Sequence, residues 1–175
     1  MPQQFNDMPN LHNCCRVAAM SFLFLCASAT GLTRALAEAE KGDIGAMHSV
    51  GFHYATGRDV RQDYAQAMTW FQRAALSGQH NSIYSLGIMY RLGQGVDVDM
   101  IQAAAWYAPA AKYIARIDGE WIVPRAKVAM YERQSAEVAG SLSASARTEA
   151  LRRAEQLLLT IREHAATPAA AHADR

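Results

Sequence analysis

Residues 42–57, GDIGAMHSVGFHYATG, and residues 78–93, GQHNSIYSLGIMYRLG, carry the same signals 36 positions apart. Under that shift Gly42 pairs with Gly78, Ser49 with Ser85, Gly51 with Gly87, Tyr54 with Tyr90 and Gly57 with Gly93. The pairing continues through Val60 and Val96, Asp63 and Asp99, Gln66 and Gln102, Ala67 and Ala103. It ends with Trp70 and Trp106, Ala74 and Ala110, Ala75 and Ala111. Phe71 opposite Tyr107 and Val50 opposite Leu86 keep the bulk. A fixed period of this length marks stacked supersecondary units, none of which can bury its apolar face alone.

Each unit reads as two helices. The first runs from about Ile44 to Ala55, and in the second copy from about His80 to Arg91. Met47, Val50 and Tyr54, like Ile83, Leu86 and Tyr90, recur there at helical spacing. Gly57 and Gly93 follow, where a left-handed cap residue is favoured. The second helix starts at Asp63 or Asp99, each with Gln three residues on, which is the spacing of a capping box. Ala67, Trp70, Phe71 and Ala74 give it a buried face. Gly51 and Gly87 fall inside helices, where glycine costs ~1 kcal/mol against alanine. That cost is understandable if a neighbouring helix crosses there, with Trp70 and Trp106 filling the wider gaps. A bulky side chain at Gly87 is therefore expected to be far worse than a change at Gln94, expected to be exposed.

Written out, the first unit is G-D-x-x-A-x-x-x-V-G-x-x-Y-x-x-G, then V-x-x-D-x-x-x-A-x-x-W-F-x-x-A-A-x-x-G. With SLGIMYRLGQGV and AAAWY in the second unit, it resembles the Sel-one-like repeat (SLR) family, a relative of the tetratricopeptide repeats. The likeness covers residues 32–113, and Leu32 to Lys41 resembles the second helix of a degenerate preceding unit. It implies an all-α fold: a short α-solenoid of antiparallel helix-turn-helix repeats, 42–77 and 78–113. It also implies protein–protein interaction, often by bacterial exported or envelope proteins. Two departures stand out. Pro109 should kink or shorten the second helix of unit two. After Ala111, KYIARIDGE replaces the short glycine turn and ends the rhythm.

Outside the repeats, Arg16 precedes the apolar run Val17–Ala29, VAAMSFLFLCASA, which closes on Ala27-Ser28-Ala29. These are the parts of a secretory signal peptide over residues 1–29, cleaved to leave Thr30 first. An uncleaved anchor or a buried first helix is the alternative, and initiation at Met8 would give a more ordinary leader. Cys14, Cys15 and Cys26 all lie in the leader, so a mature chain has no thiol for disulfides or metal, including the disulfides of some family members. Bulky Leu25 argues against a lipid anchor on Cys26. The expected location is periplasmic or secreted, with membrane contact only through an uncleaved leader. From Trp121 a C-terminal helical hairpin, 121–164, is expected to cap the stack and complete a repeat domain over 30–164. Pro124 suits its first helical position and Gly140 a C-cap, around Val128, Tyr131 and Val138. Ser143 then caps a helix whose Ala150, Ala154, Leu157, Leu158 and Ile161 share a face. Residues 165–175 read as a disordered tail.

Formal net charge is +1 over 175 residues, without the basic footprint that nucleic acid requires. His48 and His53 are five apart, off the face a helical metal pair needs, and no zinc-protease, phosphate-loop or nucleophile-elbow motif occurs. No catalytic, cofactor or metal residues are assigned, and no enzyme activity is expected. His48, Phe52, Tyr84, Ile88 and Arg91 fall between the framework positions of the first helices. By resemblance to tetratricopeptide folds they line the concave face, either as an interface hot spot or as ordinary packing. The expected function is an adaptor or scaffold for a protein partner. The alternatives are an envelope enzyme, such as a cell-wall hydrolase, with an unrecognised site, or a structural subunit tethered by its leader.

Overall fold

The computed structural model describes residues 30–113 and 125–166. The leader, Pro124 and all but the first two residues of the expected tail lie outside the described residues. Every described element is a helix: α1 (Thr30–Glu40), α2 (Ile44–Thr56), α3 (Tyr64–Leu76), α4 (His80–Leu92), α5 (Met100–Tyr113), α6 (Arg125–Ser141) and α7 (Ala144–Ala166). From α1 to α5 each helix packs on the next, as a solenoid requires. The C-terminal pair departs from that order. Helices α6 and α7 both dock on α5, straddling it rather than packing along each other, and α7 reaches back to α3.

Equivalent residues make equivalent bonds. The side chain of Asp43 accepts the Ala46 N–H (2.6 Å), Asp63 accepts that of Gln66 (3.0 Å) and Asp99 that of Gln102 (2.9 Å). These caps satisfy donors that a helix start leaves free. The return half of the capping box does not form. The N–H groups of Asp63 and Asp99 instead donate to the Tyr54 and Tyr90 carbonyls at 3.0 Å, tying each loop to the helix before it. Gly57 and Gly93 hold φ 72° and 67° and donate to the His53 and Met89 carbonyls, a geometry that a Cβ would strain. The close of α1 matches the close of α3. Gly42 and Asp43 donate to Ala39 and Glu38, as Gly78 and Gln79 donate to Ala75 and Ala74. Thus α1 has the ending of a second repeat helix, and Leu32, Ala35 and Ala39 bury its inner face.

Gly51 and Gly87 mark the tight crossings. A Cβ on Gly51 would stand 2.6 Å from Phe71 Cδ1, and one on Gly87 would stand 2.7 Å from Tyr107 Cδ1. The ring against each glycine therefore belongs to the residue after the tryptophan. Trp70 packs with Leu32, Met47 and Val50, while Trp106 joins the central cluster with Ile83, Leu86, Val128, Tyr131 and Ile161. Burying each large aliphatic or aromatic side chain there contributes ~1.5–3 kcal/mol.

Three local expectations change. Pro109 is fully buried and α5 runs through it to Tyr113, so the missing donor does not end the helix. Gly140 is not a cap, because α6 continues to Ser141, whose hydroxyl donates to the Val138 carbonyl (2.7 Å). Gln94 is half-buried rather than exposed, with its amide 3.4 Å from the Tyr64 hydroxyl. Ser143 does cap α7, accepting the Ala146 N–H at 3.2 Å.

Candidate functional site

The 36-residue shift places His48 opposite Tyr84 and Phe52 opposite Ile88, on the first helices of the two repeats. Their environments differ because α6 lies over the second repeat, and no described helix takes the equivalent place over the first. Phe52 is 47% exposed, and Ile44, two turns earlier on α2, is 39% exposed. His48 is half-buried, its ring centroid 5.3 Å from that of Phe71, and its Nδ1 shares a hydrogen bond with Ser82 Oγ at 2.8 Å. Ser82 is fully buried, so this bond supplies the partner its hydroxyl needs and joins α2 to α4.

Tyr84 stands between two rings. It stacks on Tyr131 of α6 (centroids 4.3 Å, 29°) and tilts against Tyr107 of α5 (5.3 Å, 49°). Ile88 packs into the cluster of Ala104, Tyr107 and Val138. Arg91, half-buried, faces the Tyr107 hydroxyl. Neither its Nε nor that hydroxyl completes a well-formed hydrogen bond. Of the five residues singled out from sequence, Phe52 is therefore mostly open, while His48, Tyr84, Ile88 and Arg91 are partly enclosed.

The contribution of α6 has no counterpart in the repeat pattern. The Lys127 ammonium and the Tyr131 hydroxyl (3.1 Å) both donate to Oδ1 of Asn81 at the start of α4. The repeat period ends before α6, so no spacing rule pairs Asn81 with either residue. From sequence, Tyr131 reads only as a core position.

Charge on this face is arranged without metal-type clustering. Among the described residues no group of three or more His, Cys, Asp or Glu could hold an ion. Burial, with His80 and Lys127 nearby, pushes His48 down to about 4, and burial with Lys127 also lowers His80. Burial beside Tyr84 pushes Tyr131 up to about 12. Burial also raises Tyr107, with Arg91 opposing it.

An acid limb of stability follows from His48. Its folded pKa lies below its ordinary 6.5, so the native state favours the neutral ring. That contribution is present above pH 6.5 and is lost as pH falls towards 4. Denaturation midpoints measured across this range should fall with acid in the wild type. They should fall less in His48→Gln, which can keep a hydrogen bond to Ser82 without the charge. His80 sustains a smaller slope in both proteins. Equal slopes would mean His48 is solvated in the folded state.

The stacked helix pairs, shared caps and glycine crossings define a short α-solenoid with one face left partly open. The Sel1 repeat family model matches residues 44–79 and 80–112. The chain thus carries two tandem Sel1 repeats, in a phase two residues later than the period alone suggested. Such repeats in general serve protein–protein interaction. The chain is similar to a protective antigen present in uropathogenic Escherichia coli strains, whose crystal structure displays an SLR fold. The TM-score is 0.63 at 24% identity, over 77% of this chain and 27% of that one. It is also similar to a Sel1 repeat protein from Oxalobacter formigenes. There the TM-score is 0.49 at 21% identity, over 79% of this chain and 45% of that one. The chain therefore spans about a quarter of the first relative and less than half of the second. No curated protein matches it.

Proposed function

We propose that this protein is an exported, non-catalytic scaffold of the cell envelope that holds a partner protein on the inner face of its repeats. The observation that carries the reading is Phe52, 47% exposed where its counterpart Ile88 is packed beneath α6. A large exposed aromatic on a repeat face suits an interface anchor better than a solvated surface. Phe52→Ala is expected to cut capture of the partner from envelope extract by up to about thirtyfold, with an unchanged thermal melt. Tyr84→Ala is not an equivalent test. Its ring lies between Tyr107 and Tyr131, so that variant should melt early whether or not a partner binds. A Phe52→Ala chain that keeps its partner unchanged would move the binding surface elsewhere.

Export rests on the leader, where Arg16, the apolar run and Ala27-Ser28-Ala29 together fit a cleavable signal. Intact-mass measurement on protein from a fractionated bacterial host should find Thr30 as the first residue. Full-length protein confined to the cytosol would rule the reading out.

A further inference from the structure

The two repeats differ in the turn that follows the first helix. Gly95 holds φ 80° there, and a Cβ on it would stand 2.9 Å from the carbonyl carbon of Tyr64, the first residue of α3. The 36-residue shift puts Asp59 in the same place. Its φ of 63° is the only positive value outside glycine among the described residues. A left-handed backbone disfavours any residue with a Cβ, so a carboxylate stands where glycine serves the other repeat. That carboxylate lies against the start of a helix. Its Oδ2 would be 3.1 Å from a Cβ built on Gly31, the second residue of α1. Cα–Cβ bonds tilt towards a helix's N-terminus, so the oxygen sits beside the opening turn of α1. His53 of α2 frames the same spot. Its Nδ1 donates to the Arg58 carbonyl (2.8 Å) and stands 3.3 Å from Asp59 Oδ2, while its Cε1 would be 3.5 Å from that Cβ. The two side chains are 13% and 23% exposed, which limits screening by water.

We infer that Asp59 receives the α-amino group that leader cleavage exposes on Thr30. This rests on the export reading above. Hydrolysis of the bond between Ala29 and Thr30 consumes one water, leaving a carboxylate on Ala29 and an ammonium on Thr30, the first residue of α1. A positive charge at that end of a helix opposes the helix dipole and loosens the first turn. The Asp59 carboxylate beside the turn reverses the balance, so the mature end is held against α2. An unprocessed chain carries only a neutral amide there. Helix α1 buries Leu32, Ala35 and Ala39 against Met47, Val50 and Trp70, so pinning its start keeps the end of the stack covered.

The test compares the chain from Thr30 to Arg175, released from a cleavable fusion, with the same chain acetylated at the Thr30 amine. Hydrogen exchange of the α1 amides is read at about pH 7, where an ordinary α-amino group is mostly charged. Acetylation should speed exchange in α1 by about threefold or more and leave α4 and α5 unchanged. An ammonium without the Asp59 contact gives the opposite sign, because acetylation then removes a charge that opposes the dipole. Asp59→Asn keeps the size of the side chain and tolerates the left-handed turn. In that variant acetylation should no longer speed exchange. Placing Ala27-Ser28-Ala29 ahead of Thr30 moves the charge away and should match acetylation. Slower or unchanged exchange in the acetylated wild type would overturn the inference while leaving export untouched. So would the same acceleration in Asp59→Asn. Intact mass showing the leader retained in an exporting host would remove both the freed amine and the export reading.

Discussion

Gly87→Leu is expected to unfold the second repeat, and even Gly87→Ala to cost about 1–3 kcal/mol. An added Cβ would meet Tyr107 Cδ1 and Cε1 at 2.7 Å and Cγ at 3.1 Å, closer than carbon atoms tolerate. Tyr107 cannot swing clear, because it is fully buried and Tyr84 lies against its ring. The gain in helix propensity from alanine, ~1 kcal/mol, works against the clash but does not remove it. Leucine adds three further carbons in the same space, so α4 must separate from α5. The control is Gln72→Ala, on the exposed side of α3, where a change within about 0.5 kcal/mol is expected. A double-mutant cycle supplies the mechanism. Tyr107→Val removes the contacting ring, so combining it with Gly87→Ala should cost less than the sum of the two single changes. Strict additivity in urea denaturation, or a Gly87→Ala variant as stable as Gln72→Ala, would mean that the crossing is not tight.

What could be read in advance follows the period, and what could not lies outside it. Asp63 and Asp99 act within a few residues of themselves, so their caps were legible from spacing. The crossings at Gly51 and Gly87 were legible too, because an interior helical glycine demands a reason. The ring filling each crossing was not. Helical phase sets Trp70 and Phe71 ~100° apart, both towards the buried side, and only three-dimensional packing decides which of them meets Gly51. The return bond of the capping box failed because the Tyr54 and Tyr90 carbonyls compete for the same N–H groups. At the candidate site, His48 and Tyr84 read as equivalents by position. They differ because Tyr131, 47 residues beyond Tyr84, stacks on one of them. The packing of α6 obeys no repeat, so neither its straddling of α5 nor its polar reach to Asn81 left a signal in the spacing.

Tyr131→Ala should lower stability by about 3–5 kcal/mol, and Tyr131→Phe by only about 1 kcal/mol. The ring is 1% exposed and sits in the central cluster with Ile83, Leu86 and Ile161 while stacking on Tyr84. Truncation to alanine therefore opens a cavity where α6 meets α4. Phenylalanine keeps the stack and loses only the bond to Asn81, whose Oδ1 still receives Lys127. The same hydroxyl gives wild type and Tyr131→Phe different alkaline behaviour. Its folded pKa is pushed up from 10.0 to about 12, so the native state favours the neutral phenol. That contribution is fully present below pH 10 and is lost as pH rises towards 12. Wild type should lose stability over this window, and Tyr131→Phe should lose less. A shallower slope should remain, because Tyr84, Tyr90 and Tyr107 are also raised by burial. Guanidinium denaturation at about pH 8 and about pH 11 measures both effects. Hydrogen exchange separates a local change from a global one. In Tyr131→Ala, amides of α6 should exchange well before those of α2 and α3, because the truncated ring is what ties α6 to Tyr84 and Asn81 of α4. If Tyr131→Ala stays within about 1 kcal/mol of wild type and α6 keeps its protection, the stack does not hold that element in place.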